Sequence, residues 1–215
     1  MTGIIQQLCI GMPKTVRHEN KDVVTGIFKM PVDGPVSVGK LGIVGDGQAD
    51  LTVHGGEDKA VYVYPECHYP TWATELGVTG FEPGQFGENL TVSEIAEDSV
   101  AIGDRFRFGS VVAIVRQPRL PCFKLGIRMN DDTFPQTFLN SGRLGLYLRI
   151  EEEGTTIVGD PFTRIDRAAH DITATELWRI VFSGEGTADE AARCLELLPH
   201  LDAGWQRRLR ALSRI

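Results

Sequence analysis

Short β-prone runs, separated by turns that carry glycine or proline, recur along most of this chain and stop near Ala168. They begin with Ile4 to Ile10, Val23 to Lys29 and Val36 to Gly45. They continue through Ala60 to Tyr64, Gly84 to Val92 (a glycine-rich turn into a strand), Ile102 to Gly109, Ser110 to Val115 and Leu144 to Glu151, and they close with Thr155 to Asp160 and Phe162 to Ile165. Many short strands at regular spacing leave many sheet edges to protect. A sheet closed into a barrel removes those edges, so the pattern predicts an all-β barrel or sandwich over residues 1–167. A few short helices interrupt it. Pro65 is expected to open one that runs to Leu76, with Tyr69, Trp72 and Leu76 at helical spacing and Gly77 as its stop. Others are expected at Phe123 to Met129 and at Thr133 to Leu139, the latter capped by Asp132.

Beyond Ala168 the pattern turns helical. Thr173 with Glu176, and Thr187 with Glu190, have capping-box spacing, and Asp202 is placed to cap a third helix through Trp205, Leu209 and Leu212. Residues 168–215 are therefore expected to form a small domain of three short helices, each too short to hold without a packing partner. Trp178 and Trp205 are its expected core. The tail has three open uses: covering the barrel, contacting a second copy in a homodimer, or docking another protein.

Composition narrows the function. With a net charge of −7, the chain is poorly suited to non-specific nucleic-acid binding. No apolar run is long enough to span a membrane, and the N-terminus lacks the pattern of a signal peptide. The four cysteines, Cys9, Cys67, Cys122 and Cys194, match no zinc spacing. This is the usage of free thiols in a reducing cytoplasm.

One cysteine stands apart. Cys122 follows two prolines, Pro118 and Pro121, that stiffen the backbone, and it opens a predicted helix, a position that favours thiolate. Arg116, Arg119, Lys124 and Arg128 flank it, and no acid lies between Ser110 and Asn130. Cys67 and Cys194 have no such cluster and read as structural. Other polar loops fall at strand ends: Asp50 to Lys59, Gly84 to Asn89 and Asn140 to Arg143. In a barrel such loops can converge on one mouth. There, Gly55 and Gly56 would present backbone N–H groups to an anion, and Lys59, Arg119 and Arg143 would supply charge. By themselves, His54 reads more readily as a structural histidine and Asn89 as a turn stabiliser.

Taken together these pieces resemble the MOSC domains, named for the molybdenum cofactor sulfurase C-terminal region. The matching pieces are Asp50 to Gly56 with Lys59 to Tyr62, Gly84 to Leu90, Gly103-Asp104, Gln117 to Cys122, and Gly142 to Tyr147, in the family's order. The helical tail resembles the extension of the YiiM-type branch. The resemblance implies a MOSC-type β-barrel that binds molybdenum cofactor (molybdopterin). Cys122 would be the metal ligand, and Gly55, Gly56, Lys59, Asn89, Arg119 and Arg143 would contact the cofactor. It further implies reduction of small N-hydroxylated compounds such as hydroxylaminopurine-type base analogues. Electrons would come from a separate flavin or iron–sulfur protein, since the chain has neither a Rossmann fingerprint nor a cluster motif. His54 or Tyr62 would supply protons. Two other classes use the same residues: a cofactor or sulfur carrier without turnover, and a metal-free thiol enzyme with Cys122 as nucleophile and His54 as base.

Overall fold

The computed structural model describes residues 1–50 and 55–213. Its strands, in chain order, are β1 (Thr2–Ile10), β2 (Lys14–His18), β3 (Lys21–Thr25), β4 (Met30–Pro31), β5 (Val36–Gly39), β6 (Gly42–Ile43) and β7 (Val61–Pro65). There follow β8 (Leu90–Val92), β9 (Arg105–Phe108), β10 (Val111–Pro118), β11 (Leu146–Glu152), β12 (Gly154–Thr156) and β13 (Pro161–Asp166). The helices are α1 (His68–Leu76), α2 (Phe123–Met129), α3 (Phe134–Ser141), α4 (Ala174–Phe182), α5 (Ala188–Arg193) and α6 (Ala203–Ser213).

Seven strands close into a mixed barrel in the order β13-β9-β10-β11-β7-β8-β1, with β1 pairing back onto β13 and β4 appended to β1. Only β7 and β8 run parallel within the ring. All five residues of β7 are buried, as a strand covered on both faces must be. Phenylalanines fill the barrel, with Phe106 and Phe108 stacked on Phe162 at 4.6 and 5.3 Å. A second, aromatic cluster of Tyr64, Trp72, Phe86, Phe134 and Phe138 lies beneath α1 and α3.

Two local readings are corrected. Pro65 ends β7 instead of opening a helix, because its partner Val92 keeps it in the sheet; α1 starts at His68. Residues Lys14 to Thr25 form a separate hairpin, β2–β3, and the chain leaves it at Thr25, so the expected strand to Lys29 is cut short. The helix after Asp132 is offset as well. Thr133 is the residue at its N-terminus, and the side chain of Asp131, not Asp132, accepts from the Thr133 backbone N–H at 2.9 Å.

The tail shares its core with the barrel. Leu177, Ile180, Leu197, Trp205 and Leu209 belong to the same buried cluster as Ile5, Val92 and Val115. Thr173 bridges Ala101, and the N–H of Ala174 reaches the Val100 carbonyl at 2.9 Å. Trp205 Nε1 donates to the Pro118 carbonyl at 3.1 Å, which pins α6 against the turn that carries Cys122. Trp178 instead leaves the tail and donates to the Leu139 carbonyl at 2.8 Å. Among the described residues, no helix is long and apolar enough to cross a membrane.

Candidate functional site

The site is built on the end of β10. Register slips between Val115 and Gln117 where β10 pairs with β11, an irregularity that re-aims the side chains just before the turn. Arg116 swings outward to Asp58 at 2.8 Å and to the Pro199 carbonyl at 2.7 Å. Pro118 to Pro121 then carry the chain away from the barrel, and Cys122 precedes α2 in extended backbone (φ −128°, ψ 172°). Its side chain caps nothing and stays partly exposed. Two cavities meet at Cys122, Lys59 and Tyr147. One, of about 80 Å³, opens toward the barrel and the hairpin. The other, of about 410 Å³, opens toward α6.

The barrel-side wall is made of buried polar groups that already have partners. Arg119 is only 6% exposed; its guanidinium donates to the Phe86 carbonyl and lies 4.8 Å from the centre of the Tyr62 ring. Burial opposes its charge, but the neighbouring Tyr62 and Tyr147 oxygens outweigh that and hold it above the ordinary arginine range. Tyr62 donates to the Leu144 carbonyl at 2.8 Å, and burial pushes its phenol up. Lys29 and Asp46 form a buried ion pair. Burial lowers the Lys29 pKa against the pull of Asp46. The Asp46 carboxylate also accepts from the Gly11 N–H at 2.8 Å and from Asn89 Nδ2 at 2.9 Å. Asn89 is spent as well: its Oδ1 accepts from the Tyr62 N–H at 3.1 Å, and Nδ2 also reaches the Cys9 carbonyl at 3.2 Å. Beneath it the buried Glu88 carboxylate accepts from the Gly84 and Phe86 N–H groups at 3.2 and 3.0 Å and fixes that turn.

The tail-side wall is different. Asp202 pairs with Lys59 at 2.9 Å, accepts from Gln117 Nε2 at 3.0 Å, and caps α6 through the N–H groups of Gly204 and Trp205. Around it, Leu120, Pro121 and Tyr147 are partly buried, whereas Arg207 and Arg208 are exposed.

Of the residues singled out by sequence, Lys59, Asn89, Arg119 and Cys122 line the first cavity together, with Lys124 beside them. His54 lies outside the described residues. Gly55 and Gly56 line neither cavity; Gly56 (φ 91°) starts the 3₁₀ turn that delivers Lys59, whose N–H it accepts at 3.1 Å. Arg143 lies apart from both cavities. Its guanidinium stacks 3.9 Å above Trp72 and forks onto Glu75 at 2.8 Å, because the left-handed Gly142 turns it toward α1. Arg116 and Arg128 also face away, Arg128 onto the Phe28 ring at 5.3 Å. The Cys67 thiol is exposed, not buried structure, and lies 3.8 Å from His68, whose Nε2 meets Glu97 at 2.6 Å. Cys9 and Cys194 are buried, and burial pushes their thiols up to about 12 and about 11. Sequence reading missed Lys29, Asp46, Gln48 and Tyr147 in the first cavity and the arginines of α6 in the second. Of these, only Tyr147 carried a signal, at the end of the Gly142 to Tyr147 piece.

Comparison with known proteins gives the family. The MOSC domain model matches residues 50–163. The chain belongs to the MOSC domain family. It is 39% identical over 79% of its length to the uncharacterized protein YflK of Bacillus subtilis, of which it covers 76%. It is 34% identical over 85% of its length to protein YiiM of Escherichia coli, of which it covers 82%. A protein of Gibberella moniliformis named reductase is 30% identical over 82% of this chain, which spans 32% of that longer protein. Among solved structures, YiiM from Geobacillus stearothermophilus superposes with a TM-score of 0.80 at 31% identity, covering 97% of this chain and 98% of that one.

Proposed function

We propose that this MOSC protein is a molybdenum-cofactor-dependent reductase of N-hydroxylated compounds. The observation that carries the reading is the convergence of one accessible thiol with Lys59, Arg119 and Lys124 around a single cavity. The donor set fits the group: a cysteine thiolate is a soft ligand that suits a thiophilic molybdenum centre, and the cations suit the phosphate of a pterin cofactor. Cys122 would hold the metal, and Lys124 would take the phosphate, with Lys59 beside it on its Asp202 pair. Arg119, locked by the Phe86 carbonyl and the Tyr62 ring, would set a fixed positive field beside the thiolate. When bound, the cofactor supplies the two-electron redox chemistry, its electrons coming from a separate flavin or iron–sulfur protein.

The net reaction breaks the N–O bond of an N-hydroxylated substrate. Two electrons and two protons convert it to the amine and water. The chain must therefore deliver protons and keep the substrate oriented. Tyr62 is committed to the Leu144 carbonyl, whereas Tyr147 faces both cavities and keeps its proton, its phenol pushed up by burial. Tyr147 is the hydroxyl placed to protonate the departing oxygen. The relative named reductase supports the reaction class, and the two YiiM proteins support the family branch.

The test is turnover of an N-hydroxylated purine by chain purified from a host that makes the cofactor, with a chemical reductant as donor. The expected product is the amine, formed catalytically. Full cofactor occupancy with no amine would overturn the reductase reading in favour of a carrier.

A further inference from the structure

The two cavities that meet at Cys122 are not alike. The barrel-side cavity is small, and the Asn89, Arg119 and Asp46 polar groups in its wall are bonded within the protein. The α6-side cavity, at about 410 Å³, is within the range of small-molecule sites, roughly 300–1,000 Å³. Its floor, Leu120, Pro121 and Tyr147, is largely apolar and suits a planar ring. Its charges are positive and have capacity left. The one acid there, Asp202, is matched by Lys59 at 2.9 Å and used in capping α6. Arg208 spends one N–H on the Gly204 carbonyl at 3.0 Å and lies over Phe182 at 5.1 Å, leaving the rest of its fork. Arg207 is exposed, and no partner is found for it among the described residues.

A resident cofactor binds once, whereas substrate must enter and leave at every turnover, which requires the wider and less committed side. We propose that the α6-side cavity is the substrate site and that it selects an anionic, nucleotide-like molecule. The phosphate would lie on Arg207 and Arg208, the ring on Leu120, Pro121 and Tyr147, and the N-hydroxyl end toward Cys122. This assignment rests on the reductase reading above. The chemistry it requires is a dianion or a carboxylate at the end of the molecule away from the reacting nitrogen. The arginines are exposed, so the attraction is screened by salt and sharpens selectivity more than it raises affinity.

The experiment measures binding of adenosine 5′-monophosphate and adenosine by calorimetry, to cofactor-free and cofactor-loaded chain. The nucleotide is expected to bind about ten-fold more tightly than the nucleoside, the worth of one charge-assisted contact. That preference should vanish in Arg207→Glu, return in Arg207→Lys, and survive cofactor loading. Equal binding of the two compounds, or a preference indifferent to Arg207→Glu, overturns the site. A preference abolished by loading assigns the arginines to the cofactor's own phosphate and also overturns it. Turnover adds a separate arm. The ratio of kcat/KM for an N-hydroxylated adenine nucleotide over the corresponding free base should exceed unity and fall about ten-fold in Arg207→Glu. Intact nucleotide preference with no turnover of either compound would sink the reductase reading and the substrate assignment with it, while the anion site would stand.

Discussion

The two walls of the Cys122 site use the same residue types for opposite ends. On the barrel side, the side chains of Lys29, Asp46, Asn89 and Arg119 are almost wholly buried and bonded to one another, to backbone or to rings. On the tail side, Arg207 and Arg208 stand in solvent. A buried charge with a partner shapes the protein, and removing its partner strands it in low dielectric. An exposed charge shapes little and is free to meet a ligand. The site is therefore rigid on one side and receptive on the other, and substitutions on the two walls should fail in different ways.

The largest effect belongs to neither wall but to the residue between them. Losing a group that merely orients a metal ligand lowers metal affinity roughly 10–100-fold, so Cys122→Ala, which removes the ligand itself, should lower reductase activity by more than ~10²-fold. Cys122 is partly exposed and caps nothing, so the thermal unfolding midpoint should scarcely move. A large fall in the midpoint would place Cys122 with the structural wall.

On the barrel wall the effect should be stability. Asp46→Asn leaves the Lys29 ammonium buried without its counter-charge, a loss of about 3–5 kcal/mol by denaturant titration. An unchanged midpoint would mean that the pair is hydrated and that the contrast between the walls is overstated.

A third test lies away from both walls. His68 is held by Glu97, whose other oxygen accepts from the Gly145 N–H at 2.7 Å, beside Tyr147 in β11. Burial works against protonation of His68, but its bonds to Cys67 and Glu97 prevail and raise its pKa to about 9. The folded state thus holds this proton more tightly than the unfolded state, whose histidine titrates near 6.5. The contribution is complete below that value and is lost as pH rises through about 9. The expected loss is about 3 kcal/mol, read from denaturant titrations across that window. His68→Gln should flatten the dependence, and an equally steep slope in the variant would assign it to another group.

The smallest effect is expected at Arg143, which lies outside both cavities. Arg143→Met keeps an apolar stem over Trp72 and should leave metal content unchanged. Cofactor loss in this variant would bring Arg143 back to the site.

The legible parts of the fold were the locally encoded ones. Phe123–Met129 was readable because Pro121 and Asn130 bracket it, and Thr173 and Asp202 announced their helices through side chains that reach two or three residues ahead. The β2–β3 hairpin was missed because its turn, Glu19 and Asn20 at positive φ, contains no glycine. At the site, Cys122, Arg119 and Lys59 came from short motifs. The Lys29–Asp46–Asn89 chain could not, since its members lie just before β4, after β6 and just before β8, and meet only when those segments are assembled. The placement of Arg143 was not legible either: the face of Trp72 on which it lies is 71 positions earlier in the chain.

The most direct measurement is molybdenum per chain in the unaltered protein, Cys122→Ala and Arg143→Met, all purified from one cofactor-producing host. The account predicts stoichiometric metal in the unaltered protein and in Arg143→Met, and none in folded Cys122→Ala. Metal retained without Cys122, or absent from all three, would contradict the placement of the cofactor at the junction of the two cavities.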